Sequence, residues 1–235
     1  MAVIISNDRR TELARKVAQV MPGKLKDNVV TYFAQSGSGA VETAIKFVRK
    51  ITGRSQIAAF HGAYHGVWCG SNSLTTGDQY RKGYGPFMSG VVHLPYPYCY
   101  RCCFGLTYPS CELQCAKYVD YVLNTPYTGA DDVRAVIIEA QQGEGGYVPP
   151  PPGALEMCGG RGLMIGIEMV EDKETREPLN GDVMGRIIMG MLNRGMLMVP
   201  CGRFGNVFRF MPPLVLTREH AAKAVDILIE ACKDV

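Results

Sequence analysis

Residues 31–46, with the sequence TYFAQSGSGAVETAIK, determine how the rest of the chain is interpreted. A short apolar run ends at Ala34, the turn SGSG follows at residues 36–39, and apolar residues then recur at helical spacing. This order predicts a strand over residues 28–34, a tight turn, and a helix over residues 38–51. Glycines let the backbone approach a ligand closely, and the free amides at a helix start favour an anion. The turn is therefore a candidate phosphate site, although an ordinary helix N-cap without a ligand has the same pattern.

The composition is that of an ordinary globular protein. The chain has 235 residues, 47% of them hydrophobic and 20% charged, with a net charge of +3. Its basic residues are scattered, and no apolar run approaches the ~18 residues of a membrane-spanning helix, so we expect neither a nucleic-acid nor a membrane partner. The first ten residues lack the order of a signal peptide, and the nine cysteines are an odd number. We therefore predict a cytoplasmic location with mostly free thiols.

Predicted strands and helices alternate along the chain. Helices are expected at residues 11–21, 112–124, 182–194 and 217–233, strands at 56–60, 91–94, 133–139, 162–170, 196–199 and 206–211, and an exposed loop at 78–90. The run VRAVIIE at 133–139 is apolar enough for a parallel strand buried on both faces. Four prolines before Gly153 mark the best domain boundary. The pattern predicts an α/β fold, with a mainly parallel sheet and helices in residues 1–153 and a small α+β domain in residues 154–235.

Three further groups of polar residues lie in or just after predicted strands. HGAYHG at 61–66 contributes Tyr64 and His65, the stretch after the 133–139 strand contributes Glu139 and Glu144, and the 206–211 strand contains Arg209. Open α/β sheets bind ligands at the carboxyl ends of their strands. An arginine in an apolar strand is costly unless it meets a carboxylate. The alternatives are a packed glycine-rich loop, a solvated acidic loop, and an edge-strand arginine that reaches solvent.

Taken together, these pieces resemble a known family. The matching stretches are SGSGAVETA at 36–44, HGAYHG at 61–66, IEAQQGEGG at 138–146, RGLMIG at 161–166 and Arg209 ahead of two prolines. In order and spacing they resemble the class-III, fold-type-I aminotransferases, which use pyridoxal phosphate. The resemblance implies an incomplete fold-type-I large domain followed by a small C-terminal domain, assembled as a homodimer. It also implies transfer of an amino group from an ω-amino acid or related amine to a 2-oxo acid.

The resemblance assigns five residues to the cofactor. By its motifs, Gly37 and Ser38 would bind the cofactor phosphate, and Tyr64 would stack on the pyridine ring. His65 lies beside Tyr64 in the same motif, and Glu139 would lie near the ring hydroxyl.

A second pair, Glu144 and Arg209, resembles the substrate switch of the ω-amino-acid enzymes. The glutamate holds the arginine while an amine end enters, and the arginine is then released to bind an α-carboxylate. A planar guanidinium can bind either carboxylate in a bidentate manner.

The chain departs from the family where catalysis would occur. The family needs a lysine that binds the cofactor covalently and an aspartate at the pyridine nitrogen, and neither sequence context is present. Lys46 belongs to the predicted helix, and Lys82 lies in a polar loop. The N-terminal part and the middle block of the family are absent, so we assign no catalytic residue and expect little or no transaminase activity from this chain alone. The alternatives are a non-catalytic remnant or a cofactor- or partner-binding module, and a racemase or epimerase of the same family.

Some of the cysteines could bind a metal ion. Cys99, Cys102, Cys111 and Cys115 have a spacing that permits four thiolates on zinc, with Cys103 left over. Cys111 and Cys115 lie one turn apart near a predicted helix start, so free structural thiols are the preferred interpretation and we predict no metal site.

Overall fold

The computed structural model describes residues 7–153 and 164–235. Within them the α-helices are α1 (Asp8–Val20), α2 (Gly37–Thr52), α3 (Cys69–Leu74), α4 (Asp78–Arg81), α5 (Gln114–Asn124), α6 (Gly181–Asn193) and α7 (Arg218–Lys233). The strands are β1 (Gln56–Phe60), β2 (Val91–Leu94), β3 (Val133–Val136), β4 (Ile165–Glu168), β5 (Pro200–Cys201) and β6 (Val207–Phe210). A short 3₁₀ turn covers Gly23–Leu25.

The first sheet is parallel, with the order β2-β1-β3. Side chains of β1 alternate between its two faces. Ile57 and Ala59 pack in one cluster with Ile45 of α2, whereas Ala58 and Phe60 pack in another with Val122 of α5. Helices therefore cover both faces, and the central strand is buried throughout its apolar length. This confirms the predicted α/β layering.

The second sheet is antiparallel, with the order β4-β6-β5. Its core consists of Phe208 from β6, Met184, Ile187 and Met191 from α6, and Ala231 from α7. Two helices thus cover an antiparallel sheet, as predicted for the C-terminal α+β part. Helix α7 begins with Thr217 as its N-cap, and its bounds agree with the helix predicted at residues 217–233.

Helix α2 fixes the start of α3. Ser36 caps α2 by accepting a hydrogen bond of 3.1 Å from the amide of Gly39. Two turns further along, Glu42 Oε1 accepts hydrogen bonds of 2.8 Å from the amides of Gly70 and Ser71. Those amides belong to the first turn of α3 and have no partner within that helix. Since α3 follows the loop HGAYHG, Glu42 anchors the far end of that loop.

Two predicted strands are absent, and one predicted loop was wrong in part. Residues 28–34 form no strand, pair with no described segment, and leave Val30 99% exposed. Residues 196–199 are also irregular, and pairing begins only at Pro200. The loop predicted at 78–90 opens with the helical turn α4.

The interpretation of residues 133–139 as a strand buried on both faces was also wrong. Strand β3 ends at Val136, which is 46% exposed, and β3 pairs only with β1 among the described residues. One of its edges therefore has no neighbour in the described part of the sheet.

Some predictions fall outside the described residues. These are the order of the first six residues, Arg161 to Leu163 of the motif at 161–166, and the boundary between residues 1–153 and 154–235, which stays a prediction. No helix in the described part of the chain combines the length and apolarity needed to cross a membrane.

Replacing Glu42 by alanine should lower the free energy of unfolding by about 1–2 kcal/mol, because two helix-terminal amides lose a charged acceptor. Urea denaturation measures the difference. Glu42→Gln keeps a neutral acceptor and should lose less. Glu12→Ala, in an exposed ion pair of α1, is the matched control and should change stability by less than about 0.5 kcal/mol. Equal stability of Glu42→Ala and Glu12→Ala would contradict the anchoring role.

Candidate functional site

The predicted phosphate turn contacts the loop HGAYHG directly. Gly37 is the first residue of α2, and the space beside it is open, since a Cβ added there would meet no atom within 4 Å. Ser38 Oγ accepts a hydrogen bond of 3.4 Å from the amide of Val67. A Cβ on Gly66 would lie 2.3 Å from that same oxygen, and Gly66 has φ +119°, so only glycine fits there. The structure thus brings together two motifs that lie more than twenty residues apart.

Glu139 ties the loops after β1 and β3 to each other. Its two carboxylate oxygens accept hydrogen bonds of 2.9 Å from the amide of Tyr64 and 2.8 Å from the amide of Gly143. Burial raises the pKa of Glu139, the two amides oppose this shift, and the charge of Glu144 adds to it. The carboxylate therefore positions the Tyr64 backbone, and its predicted place near a cofactor ring stays a prediction.

His65 is a half-buried imidazole with a lowered pKa. Burial, with a smaller effect from His93, lowers the pKa of His65 to about 4. Its backbone amide donates to Thr75 Oγ1 over 2.9 Å. Ring atom Nε2 is buried and has no hydrogen-bond partner among the described residues. A buried ring nitrogen of this kind is free to meet a polar atom of a ligand.

Glu144 and Arg209 form an ion pair between the two sheets. Their side chains are 18% and 21% exposed. Arg209 Nε also donates to the carbonyl of Val199 over 3.2 Å. Burial alone would lower the pKa of Arg209, but the hydrogen bond and charge of Glu144 outweigh that effect and raise it. The carboxylate partner that the sequence predicted for Arg209 is thus Glu144.

Tyr80 was missed by the sequence analysis. Its hydroxyl donates to Glu144 Oε2 over 2.9 Å, and its ring centroid lies 4.8 Å from that of Tyr64. Gly77 makes room for the ring, because a Cβ there would lie 2.9 Å from it. Tyr80 therefore connects the aromatic of the HGAYHG loop with the ion pair. An aromatic in a breaker-rich loop carries no periodic signal that could have singled it out.

Gln142 was also passed over, as one residue of a polar loop. Its side chain is 2% exposed and donates to the carbonyl of His61 over 2.7 Å. A Cβ on Gly62 or Gly145 would lie 2.5 or 2.4 Å from Gln142 Oε1. The glycines on both sides are therefore required by the packing of Gln142.

A cavity of about 550 Å³ opens at the carboxyl ends of the parallel strands. Its walls include Tyr80, Glu144, His61, Arg101 and Arg203. Glu144, the ion-pair partner of Arg209, is therefore part of this wall. The volume is in the range of small-molecule sites.

A sequence model of the class-III aminotransferases matches residues 1–159 and 154–232. The chain therefore belongs to the class-III aminotransferase family. Two relatives show how much of the family it contains. The chain is 36% identical to the diaminobutyrate–2-oxoglutarate aminotransferase of Rhizobium meliloti over 154 residues, which are 65% of this chain and 33% of that enzyme. This chain thus spans about a third of the relative's length.

The alanine/serine racemase of Pyrococcus horikoshii aligns with 97% of this chain and 74% of its own, at 24% identity. That alignment has 356 positions and this chain has 235 residues, so more than a hundred racemase positions have no counterpart here. Among solved structures, an amine transaminase of an uncultivated Pseudomonas species, with bound pyridoxal phosphate, matches 98% of this chain and 82% of its own. The TM-score is 0.82 at 20% identity, which establishes a shared fold.

Family membership implies pyridoxal phosphate as the cofactor. The site fits this group in three respects. The first turn of α2 is open in front of Gly37, the Tyr64 ring is 36% exposed, and His65 Nε2 is buried without a described partner. An open helix start suits a phosphate, and an exposed aromatic face suits a heterocycle.

The low pKa of His65 makes stability depend on pH. The unfolded chain takes up a proton near pH 6.5, whereas the folded chain resists it until about pH 4. The free energy of unfolding should therefore fall as the pH drops through this window, by roughly 2 kcal/mol between about pH 7.5 and pH 5. His61 and His93, whose pKa values are also lowered, should add to the slope.

Urea denaturation at the two pH values tests this. The variant His65→Asn should lose that part of the slope, and the control His220→Asn, at an exposed position of α7, should keep it. An unchanged slope in His65→Asn would show that His65 accepts a proton in the folded chain.

Proposed function

We propose that this chain is the cofactor- and carboxylate-binding portion of a class-III aminotransferase. In this proposal the amino group moves from an ω-amino acid or related amine to a 2-oxo acid. The observation that carries the proposal is the continuous set of contacts from the phosphate turn to the Glu144–Arg209 pair. A cytoplasmic homodimer, as in the family it resembles, is part of the same proposal.

Five residues would hold the cofactor. The amides of Gly37 and Ser38 and the Ser38 hydroxyl would bind the phosphate at the start of α2, where the helix dipole is positive. Tyr64 would lie against the ring, with its backbone fixed by Glu139. His65 would offer its buried Nε2 as an additional polar contact.

The Glu144–Arg209 pair would select between two substrates. With the pair closed, the cavity presents no free guanidinium at Arg209, and an amine end can enter. When Glu144 releases Arg209, the guanidinium can bind the α-carboxylate of the 2-oxo acid in a bidentate manner. Tyr80 would then remain as a hydrogen-bond donor to the unpaired Glu144.

Pyridoxal phosphate, when bound, withdraws electrons from the carbon that carries the amine. The chain lacks the sequence contexts of the lysine and the pyridine-nitrogen aspartate. It therefore has no assigned group to anchor the cofactor covalently or to move the proton. We propose that the chain alone binds the cofactor and transfers amino groups little or not at all.

Two other functions stay open. A racemase or epimerase is favoured by the name of the Pyrococcus horikoshii relative. A non-catalytic binding module is favoured by the missing lysine context. A cofactor trapped on a lysine in the experiment below would favour an active enzyme over the module, and substrate profiling would then distinguish the racemase from the aminotransferase.

Cofactor binding can be tested by titrating the purified chain with pyridoxal phosphate, adding borohydride and measuring the mass. We expect saturable binding and an unchanged mass, since no lysine is assigned to the site. Ser38→Ala should weaken binding about tenfold, because a hydrogen bond to a charged group is lost. The control Ser89→Ala, at an exposed position, should bind like the wild type. A cofactor fixed to one lysine, or robust amino transfer by the mass-verified chain, would overturn the proposed inactivity.

The switch can be tested without catalysis, by calorimetric titration with 2-oxoglutarate. Arg209→Gln should abolish specific binding. Tyr80→Phe should weaken binding about fivefold, because the bond from Tyr80 is worth more to an unpaired Glu144 than to a paired one. Tyr84→Phe, at a ring that is 69% exposed, is the matched control and should have no effect. Equal affinities for wild type and Arg209→Gln would refute the switch.

A further inference from the structure

The connection between β2 and α5 is long and irregular. Residues 95–113 form no helix or strand, and the residues after Tyr98 are exposed or half-exposed. Several of its large side chains are partly solvated, among them Leu106 at 42% and Tyr100 at 38% exposed. An irregular segment of this length usually carries a function or is held by a specific feature. Its core packing is concentrated at Tyr96 and Tyr98, ahead of the more exposed residues.

Cysteines stand at both ends of this segment. Cys99 and Cys102 lie at its beginning, and Cys111 and Cys115 lie at its end and on the first turn of α5. All four line one cavity of about 20 Å³, enclosed mostly by apolar groups. Cys99 lies within electrostatic reach of the other three. A space of this size holds one water molecule or one ion.

We propose that Cys99, Cys102, Cys111 and Cys115 bind one zinc ion as four thiolates. The pattern C-x2-C followed by C-x3-C supplies two pairs of soft ligands from the two ends of one loop, which suits a tetrahedral structural site. In the described residues no three His, Cys, Asp or Glu side chains already stand at metal-binding distances. Binding therefore requires the thiols to rotate inward and release their four protons to solvent as the four Zn–S bonds form.

Cys103 is the expected spare thiol. It lines the same cavity but directly follows Cys102 and is exposed. Four thiolates complete a tetrahedral zinc site, so Cys103 is a fifth thiol that the site does not need. This makes Cys103 a matched control within the same segment.

Zinc at this position would stabilise the segment that contributes Tyr98 and Arg101 to the wall of the large cavity. From the same segment, Tyr98 and Arg101 each bind Glu168 of β4 over 2.6 Å. Arg101 also donates to the carbonyl of Arg176 over 2.7 Å. The segment therefore joins the parallel sheet to the antiparallel one, and fixing it by metal would fix that junction.

The experiment uses the full chain, expressed with added zinc and purified without chelator. Elemental analysis should find one zinc per chain, and replacement by cobalt should give the visible absorption of a tetrahedral thiolate site. Cys102→Ser and Cys111→Ser should lose the zinc, whereas Cys103→Ser and the distant Cys69→Ser should keep it. Chelator should lower the midpoint of thermal unfolding of the wild type and leave Cys102→Ser unchanged.

A wild-type chain without zinc, or without thiolate bands after cobalt addition, would overturn the proposal, and so would zinc retained by Cys102→Ser. Disulfides among the four cysteines in the freshly purified chain, detected by mass under non-reducing conditions, would overturn it too. Should the serine variants fail to fold, the zinc content and cobalt spectrum of the wild type still decide the question.

Discussion

The ion pair between Glu144 and Arg209 is the interaction on which the site depends. Glu144 lies in the loop after β3, and Arg209 lies on β6 of the other sheet. Both side chains are mostly buried, and an unpaired charge at such a position would cost several kcal/mol. The backbone reinforces the pair, since the Gly202 amide donates to the Glu144 carbonyl over 2.9 Å. The same charge pair that contributes Glu144 to the cavity wall therefore also joins the two sheets.

Tyr80 extends this pair to the other half of the site. Its hydroxyl donates a hydrogen bond to Glu144, and its ring contacts the ring of Tyr64. The backbone amide of Tyr64 in turn donates a hydrogen bond to Glu139. In the proposed switch, Tyr80 would remain hydrogen-bonded to Glu144 after Arg209 is released. The proposed carboxylate site at Arg209 and the proposed cofactor site at Tyr64 are thus connected through Tyr80.

The sequence correctly predicted the helices and strands that are specified by residues close to them in the chain. The apolar run of β1 and the capping residues of α2 and α7 lie within a few positions of the structure they specify, and these elements were predicted correctly. Residues 28–34 have an equally suitable pattern but no pairing partner in the described chain, and they form no strand. A strand depends on its neighbour as much as on its own residues.

The same distinction applies to the site. Burial in an apolar strand implied that Arg209 needs a carboxylate, but a partner 65 positions away is chosen by topology. Tyr80 and Gln142 act through contacts across the fold, and nothing in their own neighbourhoods marks them. The sequence thus identified Arg209, a charged residue in an apolar strand, but not Tyr80 and Gln142, which contact other site residues through the fold.

Strand β3 relates these observations to the incomplete family match. Its sequence has the composition of a strand buried on both faces, yet it is an edge strand in the described sheet and Val136 is half exposed. The apolar sequence of β3 is thus typical of a strand with neighbours on both sides, and the described residues supply a neighbour on one side only. The two segments of the family match overlap at residues 154–159, on the C-terminal side of this strand. The contacts that would hold the cofactor and a carboxylate come from α2, β1, β3 and β6, all on this chain. The proposed lysine chemistry would come from the block without a counterpart. Because the proposed binding contacts do not pass through that block, the proposed ligand binding does not depend on the proposed lysine chemistry.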